Sequence, residues 1–385
     1  MPARAGEQRL SRRHRRVLAE VAELCSSGLP STEVYGRADA LLRPVLGYDG
    51  VCWHDSDPAT GLVTSVVSPD LRLSDFHAAV ELEVWGDDIA TFPVIRRSGR
   101  AAETLSRATG GRPDRSLRYR DQIRPAGYGD ELRAVFDSRG GRWGCAAFMR
   151  APDRGHYRPE ELALANAAAP LIGAALRRSA AETGAVGPIA SEGPAAHAPA
   201  VLVVGPDNRV LHADERAEEL LERLCADTAV LFGVPLPFVM AAEHARAVAA
   251  GRPVPQPPLR ARTTDGRWHV LHASLLGRST RSPVAVVITL AGPAELIPVT
   301  FAAYGLTDRE AQVALYAVRG LSTAEIAAAL LVSPYTVQDH LKAVFDKTGV
   351  RSRREFVAML LTADRADAVV AAAATGARPD VTGGQ

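Results

Sequence analysis

Apolar positions recur at helical spacing in some stretches and gather in strand-length blocks in others. Residues 9–27 and 31–46 read as two helices. In the second, Val34, Ala38, Leu41, Leu42 and Val45 share one face, Ser31 or Thr32 can cap its start, and Gly47 ends it. Asp49–Asp55 reads as a strand and Leu62–Ser68 as its partner, joined by the turn Asp57-Pro58-Ala59-Thr60-Gly61. Glu131–Asp137 and Trp143–Arg150 predict a second hairpin around Ser138-Arg139-Gly140-Gly141. Residues 159–178 predict an alanine-rich helix that opens on Pro159. Its inner face carries Leu162, Ala165, Ala169, Ile172 and Leu176.

Periodicity lapses over residues 181–197, which are rich in Ala, Gly and Pro and read as a linker. Ala200–Val204 then starts a new sheet. Pro206-Asp207-Asn208 turns the chain and Arg209–Ala213 returns, followed by a helix at 214–224. After the Pro-rich connection Arg252–Pro258 come strands at Leu259–Thr263, Trp268–Leu275 and Val284–Leu290, with Asp265-Gly266 as a hairpin turn. Residues 366–385 are Ala/Gly-rich and are expected to be disordered.

The densest positional information lies in residues 306–357. Thr307 is followed three residues on by Glu310, Ser322 by Glu325, and Ser352 by Glu355. Each pair is a capping box, in which the hydroxyl accepts a free N–H of the first turn and the Glu accepts the cap's own N–H. Ser333-Pro334 marks a fourth start, with serine at the N-cap and proline at the first helical position. Gly320 and Gly349 are placed as C-terminal caps. Four helices follow, at 308–319, 323–330, 334–348 and 353–362, with only Leu331, Val332 and Ser333 between the second and third. That is a helix–turn–helix, an arrangement that presents one helix to the DNA major groove.

Composition adjusts this picture little. The chain has 385 residues, 47% of them hydrophobic, enough for real cores, and a formal net charge of +1. A basic surface for nucleic acid therefore has to be local. It is found between 333 and 354, where Lys342, Lys347, Arg351, Arg353 and Arg354 face only Asp339 and Asp346. Cys25, Cys52, Cys145 and Cys225 lack metal-ligand spacing and read as reduced thiols. No apolar run reaches the roughly 18 residues of a membrane helix. Glu20 and Glu23 interrupt what would be the core of a signal peptide. A cytoplasmic protein is expected.

The front half offers candidate chemistry without a constellation. His54, Asp55 and Asp57 sit at a strand end entering a turn, where short acids are ordinary turn chemistry. His269 and His272 point to opposite faces of a strand. Neither group argues for a metal, and no Gly-rich phosphate loop, nucleophile elbow or paired catalytic carboxylates stand out, so no catalytic residue and no cofactor are expected. Cys52, Trp53, Trp85, Phe92, Tyr128 and Trp143 are candidates for lining a ligand cavity, with aromatic core packing as the plainer reading.

The pattern L-T-x-R-E, G-x-S-x-x-E-I-A, S-x-x-T-V-x-x-H and K-x-G-V-x-S-R, from Leu306 to Arg353, resembles the LuxR/GerE-type DNA-binding domain. The resemblance implies that Gln338, Asp339 and Lys342 approach base edges, although many relatives carry Lys at the first of these positions. Ser333, Thr336, Lys347, Arg351, Arg353 and Arg354 are candidates for the DNA backbone. The family also implies a homodimer paired through the fourth helix, around Phe356, Val357 and Leu360. By element order, residues 1–180 resemble a GAF domain and residues 198–292 a PAS domain. The expected fold is multidomain α+β: a GAF-like α/β sensory domain (1–180), a linker (181–197), a PAS-like domain (198–292), an all-α four-helix helix–turn–helix domain (301–365) and a tail (366–385). The expected function is a transcription regulator on double-stranded DNA, answering to an unknown small-molecule effector and not engaging a membrane. The alternative is an enzyme or small-molecule-binding protein whose C-terminal helices serve protein contact.

Overall fold

The computed structural model describes residues 10–26, 29–68, 70, 80, 82–83, 88–139, 141–182, 198–225, 236–252, 258–263 and 267–360. The linker beyond residue 182, the turn at 265–266, Trp85 and the tail lie outside these residues, as does most of the Pro-rich connection. The first half is built on a four-stranded antiparallel sheet of β1 (Gly50–Asp55), β2 (Ala102–Thr104), β3 (Asp130–Ser138) and β4 (Gly141–Arg150), in the order β1-β4-β3-β2. Helices α1 (Arg12–Leu24), α2 (Ser31–Leu46) and α5 (Pro159–Glu182) cover one face. The short helices α3 (Phe92–Arg97) and α4 (Leu105–Ala108) border the other. The segment expected as strand 62–68 makes only two isolated bridges, Trp53 to Val67 and Ser56 to Val63.

Strand alternation sends Val51, Trp53, Leu132, Ala134, Phe136 and Phe148 into the helix-covered core. There Trp53 stacks on Tyr35 and Phe136 and meets Phe148 edge-on. α5 lies directly on β3, since a Cβ at Gly173 would come within 2.8 Å of the Phe136 carbonyl. On the opposite face Cys52, Val135, Cys145, Ala147 and Met149 join a second core. Between Val135–Asp137 on β3 and Arg142–Cys145 on β4 the register shifts by one extra β4 residue. This bulge turns Trp143 to the same side as Ala146 rather than that of Cys145.

The second sheet contains β5 (Ala200–Val204), β6 (Val210–Ala213), β7 (Leu259–Arg262), β8 (Trp268–Leu275) and β9 (Val284–Leu290), ordered β6-β5-β9-β8-β7 and antiparallel throughout. α6 (Glu215–Cys225) and α7 (Leu236–Ala249) pack against it. Sequence periodicity does not reveal α7, and the reason is burial: every residue from Leu236 to Ala247 is buried. A helix covered all round has no polar stripe to mark its period. The second core of the first sheet runs on without a break through Leu236, Phe238 and Met240 to Leu202, Leu271 and Val286. Arg260 reinforces this junction. Its backbone N–H donates to Asp57 Oδ2 (3.1 Å), and its Nη1 lies 3.5 Å from the same oxygen.

α8 (Pro293–Ala303), also absent from the sequence reading, connects to four C-terminal helices: α9 (Asp308–Val318), α10 (Thr323–Leu330), α11 (Pro334–Thr348) and α12 (353–360). Arg260 Nε donates to the Glu295 carbonyl near the start of α8 (2.6 Å), and Arg177 Nη1 to the Ala303 carbonyl at its end (2.7 Å). No described helix is long and apolar enough to cross a membrane.

Candidate functional site

The C-terminal helices start where local chemistry requires. Thr307 Oγ1 accepts the Glu310 N–H while Glu310 Oε2 accepts the Thr307 N–H (2.7 Å), and Ser322 and Glu325 repeat the box. Ser333 Oγ accepts the Thr336 N–H at 3.1 Å, and the two hydroxyl groups are bonded to each other. Gly349 closes α11 in the left-handed region. α10 ends differently. Leu331 takes the left-handed conformation at φ 54°, and the Val332 N–H reaches back to the Ala327 carbonyl. Leu331 is 92% exposed, so it supports the tight turn by its backbone alone. The turn crosses α11 over α10 on a small core of Val313, Ala317, Ile326, Ala327, Val337 and Leu341.

With Val337, Leu341 and Val344 facing inward, the other side of α11 is open. Gln338, Asp339 and Lys342 are exposed, and among the described residues none has a side-chain hydrogen bond or ion pair. Tyr335, 72% exposed, extends the same surface by one turn. Ser333 and Thr336 sit at the α11 N-terminus, where free N–H groups and the helix dipole favour an anion. Arg351 and Arg354 are exposed.

Two of the sequence-selected cations are engaged within the chain. Lys347 Nζ donates to Glu310 Oε2 (2.5 Å) and to the Gly305 carbonyl (3.2 Å). Burial pushes the Glu310 carboxyl up, but this ammonium and the Thr307 cap hold it below the ordinary range. Arg353 Nη2 donates to the Ala317 carbonyl at the end of α9 (2.7 Å), and Arg309 Nη2 does the same for Leu330 at the end of α10 (2.9 Å). These cations satisfy carbonyls left open at helix C-termini. Phe356 and Leu360 are buried against Phe301 and Leu306 of their own chain, and Val357 is half-buried.

A cavity of about 60 Å³ lies on the face of the first sheet away from α1, α2 and α5. Of the sequence candidates it takes in Cys52 and Phe92. Trp53 and Trp143 face the helix-covered core, Tyr128 packs nearby without lining it, and Trp85 lies outside the described residues. Its wall is instead a chain of buried charges. Arg118 reaches Asp88 and Glu131, and Arg133 reaches Glu131 and Glu83. The Arg133 guanidinium also lies 4.1 Å from the Phe92 ring centre. Burial pushes the Glu131 carboxyl up, but its two guanidinium partners hold it below the usual range. The signal for this wall is in the sequence: Glu131 and Arg133 alternate with apolar residues in a strand whose two faces are both covered.

His54 lines the same cavity, with Nδ1 3.2 Å from the Ser65 carbonyl, which can only accept. Burial holds its pKa down at about 4. The unfolded chain therefore takes up this proton first, and the stability contributed by neutral His54 is present above pH 6.5 and lost as the pH falls toward 4. Between pH 7 and 5 the loss is about 2 kcal/mol. His54→Gln should remove that part of the pH dependence, read as the difference between urea unfolding curves at the two pH values. An unchanged difference would show that other groups carry it.

Residues 305–360 match the family model of bacterial regulatory proteins, luxR family. No curated protein sequence matches the chain. Among solved structures, a phage VqmA–DPO complex is 14% identical with a TM-score of 0.22, over 46% of this chain and 87% of that one. An extracellular ligand binding receptor from Desulfohalobium retbaense DSM5692 is 14% identical with a TM-score of 0.18, over 72% of this chain and 37% of that one. Likenesses at these scores transfer neither fold nor function. The last helices form a LuxR-family helix–turn–helix domain, the kind that binds DNA in bacterial regulators.

Proposed function

We propose that this chain, whose residues 305–360 are a LuxR-family domain, is a transcription regulator. It reads double-stranded DNA with α11 as a homodimer and is controlled by its sheet-bearing half. The observation that carries the reading is the exposed, unpartnered face of Gln338, Asp339 and Lys342 on a helix whose other face is closed. Lys342 donates to guanine O6 and N7, Gln338 pairs with adenine, and Asp339 accepts from a cytosine amino group. Ser333, Thr336, Arg351 and Arg354 meet phosphates. Lys347 and Arg353 also act as fasteners that hold α11 and α12 on α9, Lys347 through the Glu310 carboxylate and the Gly305 carbonyl and Arg353 Nη2 through the Ala317 carbonyl. Two strands, helices and three further antiparallel strands support the PAS-like reading of 198–292. Helix, sheet and closing helix support the GAF-like reading of 1–180. Such a regulator acts in the cytoplasm, where its DNA is.

A mobility-shift titration against target and random DNA tests the assignment. Binding should weaken steeply with rising salt as counterions are released. Lys342→Ala should lower discrimination at one base pair by about 5- to 150-fold, the equivalent of roughly 1–3 kcal/mol. Arg354→Ala should weaken all sequences alike and reduce the salt slope by about one. Wild-type discrimination in Lys342→Ala would show that this face of α11 does not read bases.

A further inference from the structure

The cavity beside His54 lies between the two sheets, walled by Val63, Phe92, Ile123 and Met149 from the first half and by Leu236 and Met240 of α7 from the second. Its charged groups answer one another. Glu131 Oε1 accepts from Arg133 and Oε2 from Arg118. Glu83 Oε1 accepts the Phe92 N–H and Oε2 accepts from Arg133. Arg118 spreads its donors over Asp88, the Ile89 carbonyl and Glu131. Both guanidiniums are already neutralised by carboxylates, with only Arg133 Nη2 lacking a hydrogen-bond partner among the described residues, and each oxygen of Glu131 and Glu83 already accepts a hydrogen bond. Gln122 Oε1 is a buried acceptor with no hydrogen-bond partner among the described residues, on a side chain only 3% exposed that lines the cavity. A buried acceptor without a donor is costly, and a molecule that brings one is favoured.

We propose that this cavity is a ligand site shared by the two halves, for a small uncharged molecule that is mostly apolar and carries one N–H or O–H donor for Gln122. Its size fits that class. A cavity of about 150 Å³ takes benzene, so about 60 Å³ calls for a molecule of a few heavy atoms. A five-membered ring is the upper limit, with the adaptable side chains of Met149 and Met240 giving way. Because Leu236 and Met240 come from α7, an occupant touches both sheets' elements at once. The inference rests on the reading of the sheet-bearing half as sensory and supplies the chemistry of what it senses.

The test uses the full chain and two rings of matched size, pyrazole, which has an N–H donor, and isoxazole, which has none. Pyrazole should raise the melting temperature by about 2 °C at tenfold its Kd. Isoxazole should bind at least about tenfold more weakly. Gln122→Leu, close in shape, should lower pyrazole affinity by about tenfold and abolish the preference between the rings. Met240→Phe, which fills the cavity from the α7 side, should abolish binding of both. Equal affinities in the wild type, no binding of either ring, or tighter binding of ethylammonium or acetate would each overturn the proposal. A mobility shift is run alongside. If it stays sequence-specific while the rings fail to bind, only the cavity inference falls. If pyrazole binds selectively while DNA is not bound, the regulator reading falls and the site stands.

Discussion

Phe356→Ala is expected to unfold the C-terminal helices and abolish binding to every DNA sequence. Phe356 is fully buried, stacks on Phe301 at 6.1 Å and meets Phe345 at 6.0 Å. Truncating such a ring costs about 3–5 kcal/mol. A unit of this size has only about 3–8 kcal/mol in all, so little or nothing remains. The expected result is early loss of helical signal on heating and rapid amide exchange across α9–α12, with the two sheets protected as in the wild type. Sequence-specific binding within a few-fold of wild type would show that Phe356 is not central to this core. The same ring shows where the domain begins. Its partner Phe301 lies in α8, upstream of the residues that match the family, so α8 belongs to the core that holds the DNA-reading helix.

Arg260→Ala should uncouple the two halves and loosen α8. Asp57 is fully buried and accepts from Arg260 through both backbone and side chain, while Arg260 Nε also holds the Glu295 carbonyl. Burial already pushes the Asp57 carboxyl up, and Arg260 is the charge opposing it. Removing that charge strands a buried carboxylate, at a cost of about 3–5 kcal/mol. A calorimetric scan at pH 7 should then lose cooperativity, with the two sheets melting separately. The double variant Asp57→Leu/Arg260→Met should recover much of the loss, because an apolar pair of similar volume can replace a buried ion pair. The deficit of Arg260→Ala should also shrink in acid, where Asp57 holds a proton in both folded and unfolded chains. A single unshifted transition would mean that the halves are joined by their apolar contact alone.

What was legible in the sequence depended on the range of the interaction. Ser31–Leu46, Ala200–Val204, Trp268–Leu275, Val284–Leu290, Thr323–Leu330 and Pro334–Thr348 form as expected, residue for residue. Their signals are periodicity and caps, which act over a few residues. Phe92–Arg97, Ala102–Thr104 and Leu105–Ala108 went unread, and for three further segments the cause is packing. α7 is covered on all sides, α8 carries Pro298 inside it, and residues 62–68 make one bridge to β1 and one to Ser56 just beyond it without becoming a strand. The ligand-site expectation fared similarly. Cys52 and Trp53 are neighbours on β1, yet alternation sends one to the cavity and the other to the opposite core, and only the covering elements decide which is which.

The sequence by itself determined the helix–turn–helix. Thr307 with Glu310, Ser322 with Glu325, and Ser333 before Pro334 are contacts across three residues or fewer, and the apolar period assigns which face of α11 is hidden. Only the tertiary structure decided which of its cations are free. Lys347 meets Glu310 across 37 residues and Gly305 across 42, and Arg353 meets Ala317 across 36. No local rule distinguishes these side chains from Lys342 or Arg354. They differ because the fold brings an open carbonyl or a carboxylate within reach of some cations and leaves the others facing water.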